Sequence, residues 1–131
     1  MLMTSFIMSK LGYCNVALAG LLHCDLDLLQ SVINAATRLR AAARRNDPIT
    51  PLLVDLHWLQ MPQKIQYKLC ILVYRCLHGS APGYLQSSII PVSDTASRRR
   101  LCSASSGDLV VPSTRRLTIG DRAFAVAGPR T

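Results

Sequence analysis

A chain of 131 residues that is 50% hydrophobic but only 5% aromatic has room for one domain, with an aliphatic, alanine-rich core that packs helices more readily than sheets. Fifteen basic residues against seven acidic ones give a net charge of +8, which points to a polyanionic partner, either nucleic acid or an anionic lipid surface, beside the plainer reading of a merely basic soluble protein. Five cysteines, odd in number and without a C-x-x-C pair, argue against a disulfide scaffold and for reduced thiols in an intracellular compartment, cytoplasmic or nuclear.

The start "MLMTSFIMSK" lacks a basic n-region, and "LGYCNVALAGLL" is too short and too punctuated to span a bilayer, so neither secretion nor membrane insertion is expected. Residues Thr4 to Leu22 have mixed apolar spacing broken by Gly12 and Gly20 and predict a helix. Next, "DLDLLQSVINAATRLRAAARRND" sets Leu28, Val32, Ala35, Ala36, Leu39 and Ala43 at helical spacing. It predicts a helix opened by Asp25 or Asp27, closed near Asn46-Asp47-Pro48, and apolar along that stripe. Asn34, Arg38 and Arg45 lie opposite, with Arg40 and Arg44 on the flank, so positive charge gathers at the negative end of the helix dipole. Every acid in the chain is aspartate, so Glu-to-Lys staples are absent and the helices depend on packing.

Thr50-Pro51 predicts an N-cap and first position for a short helix through "LLVDLHWL". Pro62 resets the chain and starts a longer helix in which Ile65, Leu69, Leu72, Val73 and Cys76 share one face, and Lys64, Lys68 and Arg75 another; Gly79 suits its C-cap. Ser80-Ala81-Pro82 opens one more short turn or helix towards Leu85. The fold class predicted is therefore mainly α, with consecutive amphipathic helices over residues 1–90. After Pro91, "VSDTASRRRLCSASSGD" reads as a serine- and arginine-rich linker. Beyond it, Leu109 to Val111 and Ala123 to Val126 predict a small C-terminal β-hairpin, or else an extended basic tail, so that 91–131 forms a second region.

Catalytic chemistry finds little purchase in this pattern. Two-metal phosphoryl transfer needs converging carboxylates, yet the only close pair, Asp25 and Asp27, points apart on a helix. Zinc knuckles are absent: Cys70, Cys76 and His78 lie along one helix, and His23-Cys24 stand alone, so no metal is expected. No spacing recommends a cysteine nucleophile with His57 or His78, and phosphate-loop and dinucleotide glycine patterns do not occur. What remains is a basic surface. Arg38, Arg40, Arg44 and Arg45, then Lys64, Lys68 and Arg75, then Arg98, Arg99 and Arg100, then Arg115 and Arg116 are candidates to neutralise backbone phosphates, a salt-sensitive and sequence-blind contact. Trp58, Tyr67 and Tyr74 are candidates for base stacking, although aromatics at helical spacing more often fill a core.

Four blocks taken together, "SKLGYCNVALAGL", "LQSVINAATRL", "ITPLLVDLHWLQMPQKIQYKLCILVYRCLHGSAPGYL" and "RRRLCSASSGDLVVPSTRRLTIGDRAFAVAGP", resemble the region downstream of the polymerase palm in the endonuclease and reverse transcriptase polyprotein of LINE-type (non-LTR) retrotransposons. The resemblance implies a parent that nicks DNA and copies its RNA from the nick, with the catalytic residues of both activities upstream of the matching region. It transfers a location, the thumb and C-terminal region, where basic helices grip template or primer and the upstream polymerase domain is a neighbour. The sequence departs from the family's pattern at Gly12, where an acid is usual, at Leu22, where a proline is usual, and at Ala41 to Ala43. It also lacks the Trp-Asn helix that follows "AGPRT" in the family, which suggests a truncated copy. The expectation is a non-catalytic fragment without cofactor or small-molecule substrate that binds RNA or DNA backbone. Its alternative is a small helical protein-interaction module or a non-functional remnant.

Overall fold

The computed structural model describes residues 2–95, 107–115 and 119–131. The chain divides into two compact units, Met1–Gln66 and Tyr67–Thr131, and among the described residues its regular elements are helices.

The first unit opens with α1 (Leu2–Gly12). Its end at Gly12 is reinforced by Cys14 in the left-handed region at φ +52°, after which Asn15–Leu18 forms a single 3-10 turn. The predicted helix over Thr4 to Leu22 is thus half as long as its apolar content suggested, because two successive breaks in right-handed geometry cannot be bridged by propensity alone.

Helix α2 (His23–Ala41) packs against α1 and against α3 (Ile49–Asp55). It begins at His23, with Asp25 in its first turn, where a carboxylate favours the positive end of the dipole. It closes earlier than Asn46-Asp47-Pro48: Ala42 turns left-handed at φ +50°, and the Ala43 N–H donates to Arg38 O at 3.0 Å. Asp47 instead organises the next turn, its Oδ2 accepting the Arg44 N–H at 2.7 Å.

The buried face of α2 corrects the predicted stripe. Ile33, Ala36 and Thr37 are buried, whereas Leu28, Val32 and Leu39 are 67%, 42% and 61% exposed, and Ala35 is exposed too. Leu26, Leu29, Ile33 and Ala36 make a second apolar series about 100° round the helix from the first, and periodicity does not choose between neighbouring stripes. Polar residues are tolerated on the buried side because each finds a partner there: the Thr37 hydroxyl donates to Ile33 O at 2.8 Å, and Gln30 Oε1 accepts the Met61 N–H at 2.7 Å.

Helix α3 starts at Ile49, one residue ahead of Thr50, with Pro48 at its N-cap. Pro51 therefore falls inside the first turn, where its missing N–H leaves nothing unsatisfied. The helix closes through His57 at φ +55°, with the Trp58 N–H reaching back to Leu53 O at 2.8 Å.

Helix α4 (Met61–Leu77) begins in the first unit. Gln60 serves as its N-cap, with Gln63 Oε1 accepting the Gln60 N–H at 3.3 Å, the return half of a capping box. Gln30 takes the next N–H, and Pro62 removes a third. The predicted apolar face holds: Ile65, Leu69 and Cys76 are buried along with Met61, and Leu72 and Val73 are half-buried.

In the second unit α4 ends as Gly79 adopts φ +68° and the Ser80 N–H donates to Arg75 O at 2.9 Å, the bond that a glycine C-cap permits. Pro82 then opens α5 (Gly83–Gln86). The β-hairpin is not formed. Leu109 makes one isolated antiparallel bridge with Pro91, framed by Val92 N–H to Asp108 O at 2.9 Å and Val110 N–H to Ile90 O at 2.8 Å. Residues predicted as the second strand fold into α6 (Phe124–Ala127). Pro91 and Pro112 lack the donors needed to extend a ladder, and alternating alanines favour helix over strand. Gly128 then lets the chain pass close to its neighbours: a β-carbon there would lie 2.9 Å from Phe124 O and 3.0 Å from Val73 Cγ2.

Candidate nucleic-acid interface

The end of α2 and the turn after it carry four of the predicted phosphate contacts within eight residues, and the fold treats them differently. Arg40, Arg44 and Arg45 are exposed. Arg38 is half-buried, and its Nε is buried with no hydrogen-bond partner among the described residues. The three exposed guanidiniums sit where the carbonyl end of α2 is negative, so local field and charge are complementary. Asp47 is the acid built into this turn, and it accepts from the Arg44 backbone N–H, which leaves the Arg44 side chain outside that bond.

Lys64, predicted to share a face with Lys68 and Arg75, is half-buried. Its Nζ lies 3.8 Å from Met8 Sδ, and burial pushes its pKa below the ordinary value of 10.5 because desolvation penalises the ammonium. In the second unit Lys68, Arg75 and Arg115 are exposed. Arg98, Arg99, Arg100 and Arg116 lie outside the described residues. Arg130, by contrast, pairs with Asp121 at 3.2 Å.

Of the aromatic candidates, Tyr67 and Tyr74 are exposed. Tyr74 stacks on His78, with ring centroids 3.9 Å apart and planes inclined by 26°, and His78 Nδ1 lies 2.8 Å from Tyr74 O. Trp58 is half-buried. It lines a cleft of about 540 Å3 in the first unit together with Thr4, Ser5, Met8, Arg40, Asp55 and Leu56. This grouping is not visible in the sequence, because its members come from α1, the last turn of α2 and the close of α3. The one local signal was the placement of Trp58 at a helix corner.

Among the described residues no group of three or more His, Cys, Asp or Glu is arranged to hold a metal ion, and no helix is long and apolar enough to cross a membrane. Of the described cysteines, Cys14, Cys24 and Cys70 are exposed and unbridged, while Cys76 is buried; desolvation pushes the Cys76 thiol above its ordinary value of 9.0, towards the inert neutral form. Comparison with protein-family models, with curated proteins and with solved structures finds no match to this chain.

Proposed function

We propose that this chain is a non-catalytic piece related to the post-palm region of a LINE-type retrotransposon reverse transcriptase, and that it binds RNA or DNA through phosphate contacts. The observation that carries the binding part is the exposed arginine group at the end of α2, Arg40, Arg44 and Arg45, in a chain of net charge +8. Lys68, Arg75 and Arg115 extend the same chemistry in the second unit. The family part rests on the order and spacing of the four sequence blocks. In the parent, RNA-templated DNA synthesis and integration belong to upstream domains, and this region would hold the nucleic acid against them.

Fluorescence anisotropy with a labelled single-stranded RNA tests the binding part. Arg44→Gln/Arg45→Gln is expected to weaken binding uniformly across sequences and to reduce the salt slope by about 1.4. Unaltered affinity in that double variant contradicts the assignment. The family part is tested by sequencing the transcript and the flanking DNA. An in-frame polymerase palm with paired aspartates upstream of Met1 supports it, and flanks bearing no trace of a reverse transcriptase frame contradict it.

A second reading, a protein-interaction module, draws on the apolar face of α2. Leu28, Val32 and Leu39, with Leu2, Met3 and Phe6 of α1, are large apolar side chains left exposed on two helices that pack together. Self-association in sedimentation velocity, insensitive to salt and to added nucleic acid, favours this reading over the first.

A further inference from the structure

We infer that the exposed apolar stripe of α2 is an interface for a second copy of this chain, the two α2 helices lying antiparallel about a two-fold axis. The inference rests on the protein-interaction reading and deepens it by naming the partner, the symmetry and the register. Leu28, Val32, Ala35 and Leu39 follow one another at alternating steps of four and three, the spacing of a coiled-coil seam. All four are exposed, and they lie on a different side of the helix from the buried Ile33, Ala36 and Thr37. The seam is therefore no extension of the subunit's own core. Met3 of α1 lines a cleft with Leu39, so α1 adds apolar surface at one end.

The charges beside the seam select the occupant. Asp27 stands near its N-terminal end and Arg38 near its C-terminal end, both about 100° to the same side of it at 100° per residue. A two-fold axis across the middle of the seam brings Leu28 of one copy to Leu39 of the other and Val32 to Ala35. The same operation sets Asp27 within about 3 Å of the level of Arg38 on the other copy, twice by symmetry. A parallel pair would instead set Asp27 against Asp27 and Arg38 against Arg38, with the helix dipoles aligned rather than opposed. Neither Asp27 nor Arg38 is in an ion pair among the described residues, and Arg38 Nε is buried with no hydrogen-bond partner there. Part of the guanidinium is thus already out of water, which lowers the further cost of pairing it. The stripe is its own complement, in shape and in charge, only when reversed. Added salt screens this attraction and also the repulsion between two chains of net charge +8, so the apolar seam sets the affinity.

Sedimentation velocity of the full chain, at loading concentrations from about 5 to 500 μM, is the first arm of the test. A reversible equilibrium between monomer and dimer is expected. Val32→Asp sets two carboxylates in the middle of the seam and is expected to raise the dimer dissociation constant by about a hundredfold or more. Circular dichroism checks that the helices are retained. The second arm reads the register. Asp27→Arg and Arg38→Asp each bring like charges together at both symmetric contacts and should weaken the dimer by about fivefold or more, whereas Asp27→Arg/Arg38→Asp together should restore it. Positions 27 and 38 are about 16 Å apart along one helix, so that rescue cannot arise within a single chain. Should the half-buried Arg38 not tolerate the change, an equimolar mixture of Leu28→Cys and Leu39→Cys chains is oxidised instead. A disulfide between the two introduced thiols, identified from the mass of the linked peptides, is expected.

The outcomes separate this inference from the reading it rests on. A chain that stays monomeric at the highest concentration overturns both. Self-association that ignores Val32→Asp, or that shows neither charge rescue nor a link between positions 28 and 39, overturns the seam and leaves the protein-interaction reading standing. A disulfide joining position 28 of one copy to position 28 of the other contradicts the antiparallel register.

Discussion

Ala42 holds a left-handed conformation, φ +50°, that costs an L-residue with a β-carbon about 1–2 kcal/mol. Glycine removes that strain and returns part of the gain as unfolded-chain entropy. Ala42→Gly is therefore expected to stabilise the fold by about 0.5–1 kcal/mol, raising Tm by a few degrees in a thermal melt. Lys64 makes a pH prediction with a definite sign. Its folded pKa is depressed below 10.5 by burial, so the unfolded state binds more protons between the two values and stability rises with pH across that window. Cys76 works in the opposite sense, because its folded pKa is raised above 9.0 and its contribution is lost as pH climbs through the folded value. The difference between wild type and Lys64→Met isolates the lysine: the variant is expected to be the more stable at pH 8, with the gap narrowing towards pH 10.5, as read from urea midpoints. A constant gap contradicts the burial of Lys64. The burial of Cys76 was legible in the sequence, since it lies on the predicted apolar face of α4, but the environment of Lys64 was not. Lys64 was placed with Lys68 and Arg75 by periodicity, and its position against Met8, 56 residues away, is a tertiary fact that no local window contains.

At the scale of elements, α4 was the most legible part of the chain. Its apolar face, its start near Pro62 and its stop at Gly79 all follow from local chemistry, since each depends on neighbours within a few residues. Its N-terminus is an exception of detail: one helical N–H is capped from α2 by Gln30, which also donates through Nε2 to Asn34 Oδ1 at 2.8 Å. Gln30→Ala is expected to cost about 1–2 kcal/mol in denaturant unfolding. Gln30→Glu, which keeps the acceptor and places a carboxylate at the positive end of α4, is expected to recover most of that loss. Helix α2 shows the limit of pattern reading. Two apolar stripes lie side by side on it, and the buried one is chosen by what α1, α3 and the start of α4 present to it, with Thr37 and Gln30 accommodated by hydrogen bonds. The exposed stripe of Leu28, Val32 and Leu39 is the face that predicted burial and did not receive it. The second predicted strand failed for a different reason: Ala123 to Val126 is too alanine-rich to prefer strand, and Pro91 stops its bridge with Leu109 from lengthening.

The whole molecule is a basic, helical chain whose cations the fold distributes unevenly. Sequence alone could list Arg38, Arg40, Arg44, Arg45 and Lys64 as equivalent, since charge is visible in a sequence and solvent exposure is not. Folding half-buries Arg38 and Lys64 and leaves Arg40, Arg44 and Arg45 in water. It also brings Arg40 to the Trp58 cleft, a grouping drawn from three separate stretches of the chain. Phosphate binding by such exposed cations releases condensed counterions, so its strength depends on salt in proportion to the number of phosphates neutralised. The most direct test is a salt titration of the full chain against labelled single-stranded RNA, at several monovalent salt concentrations from about 50 to 200 mM. Three exposed arginines in the first unit, with contributions from Lys68, Arg75 and Arg115, predict a slope of log Kobs against log salt of magnitude about 2 or more, and so at least a tenfold loss of affinity across that range. An affinity that stays level over the same range contradicts the account.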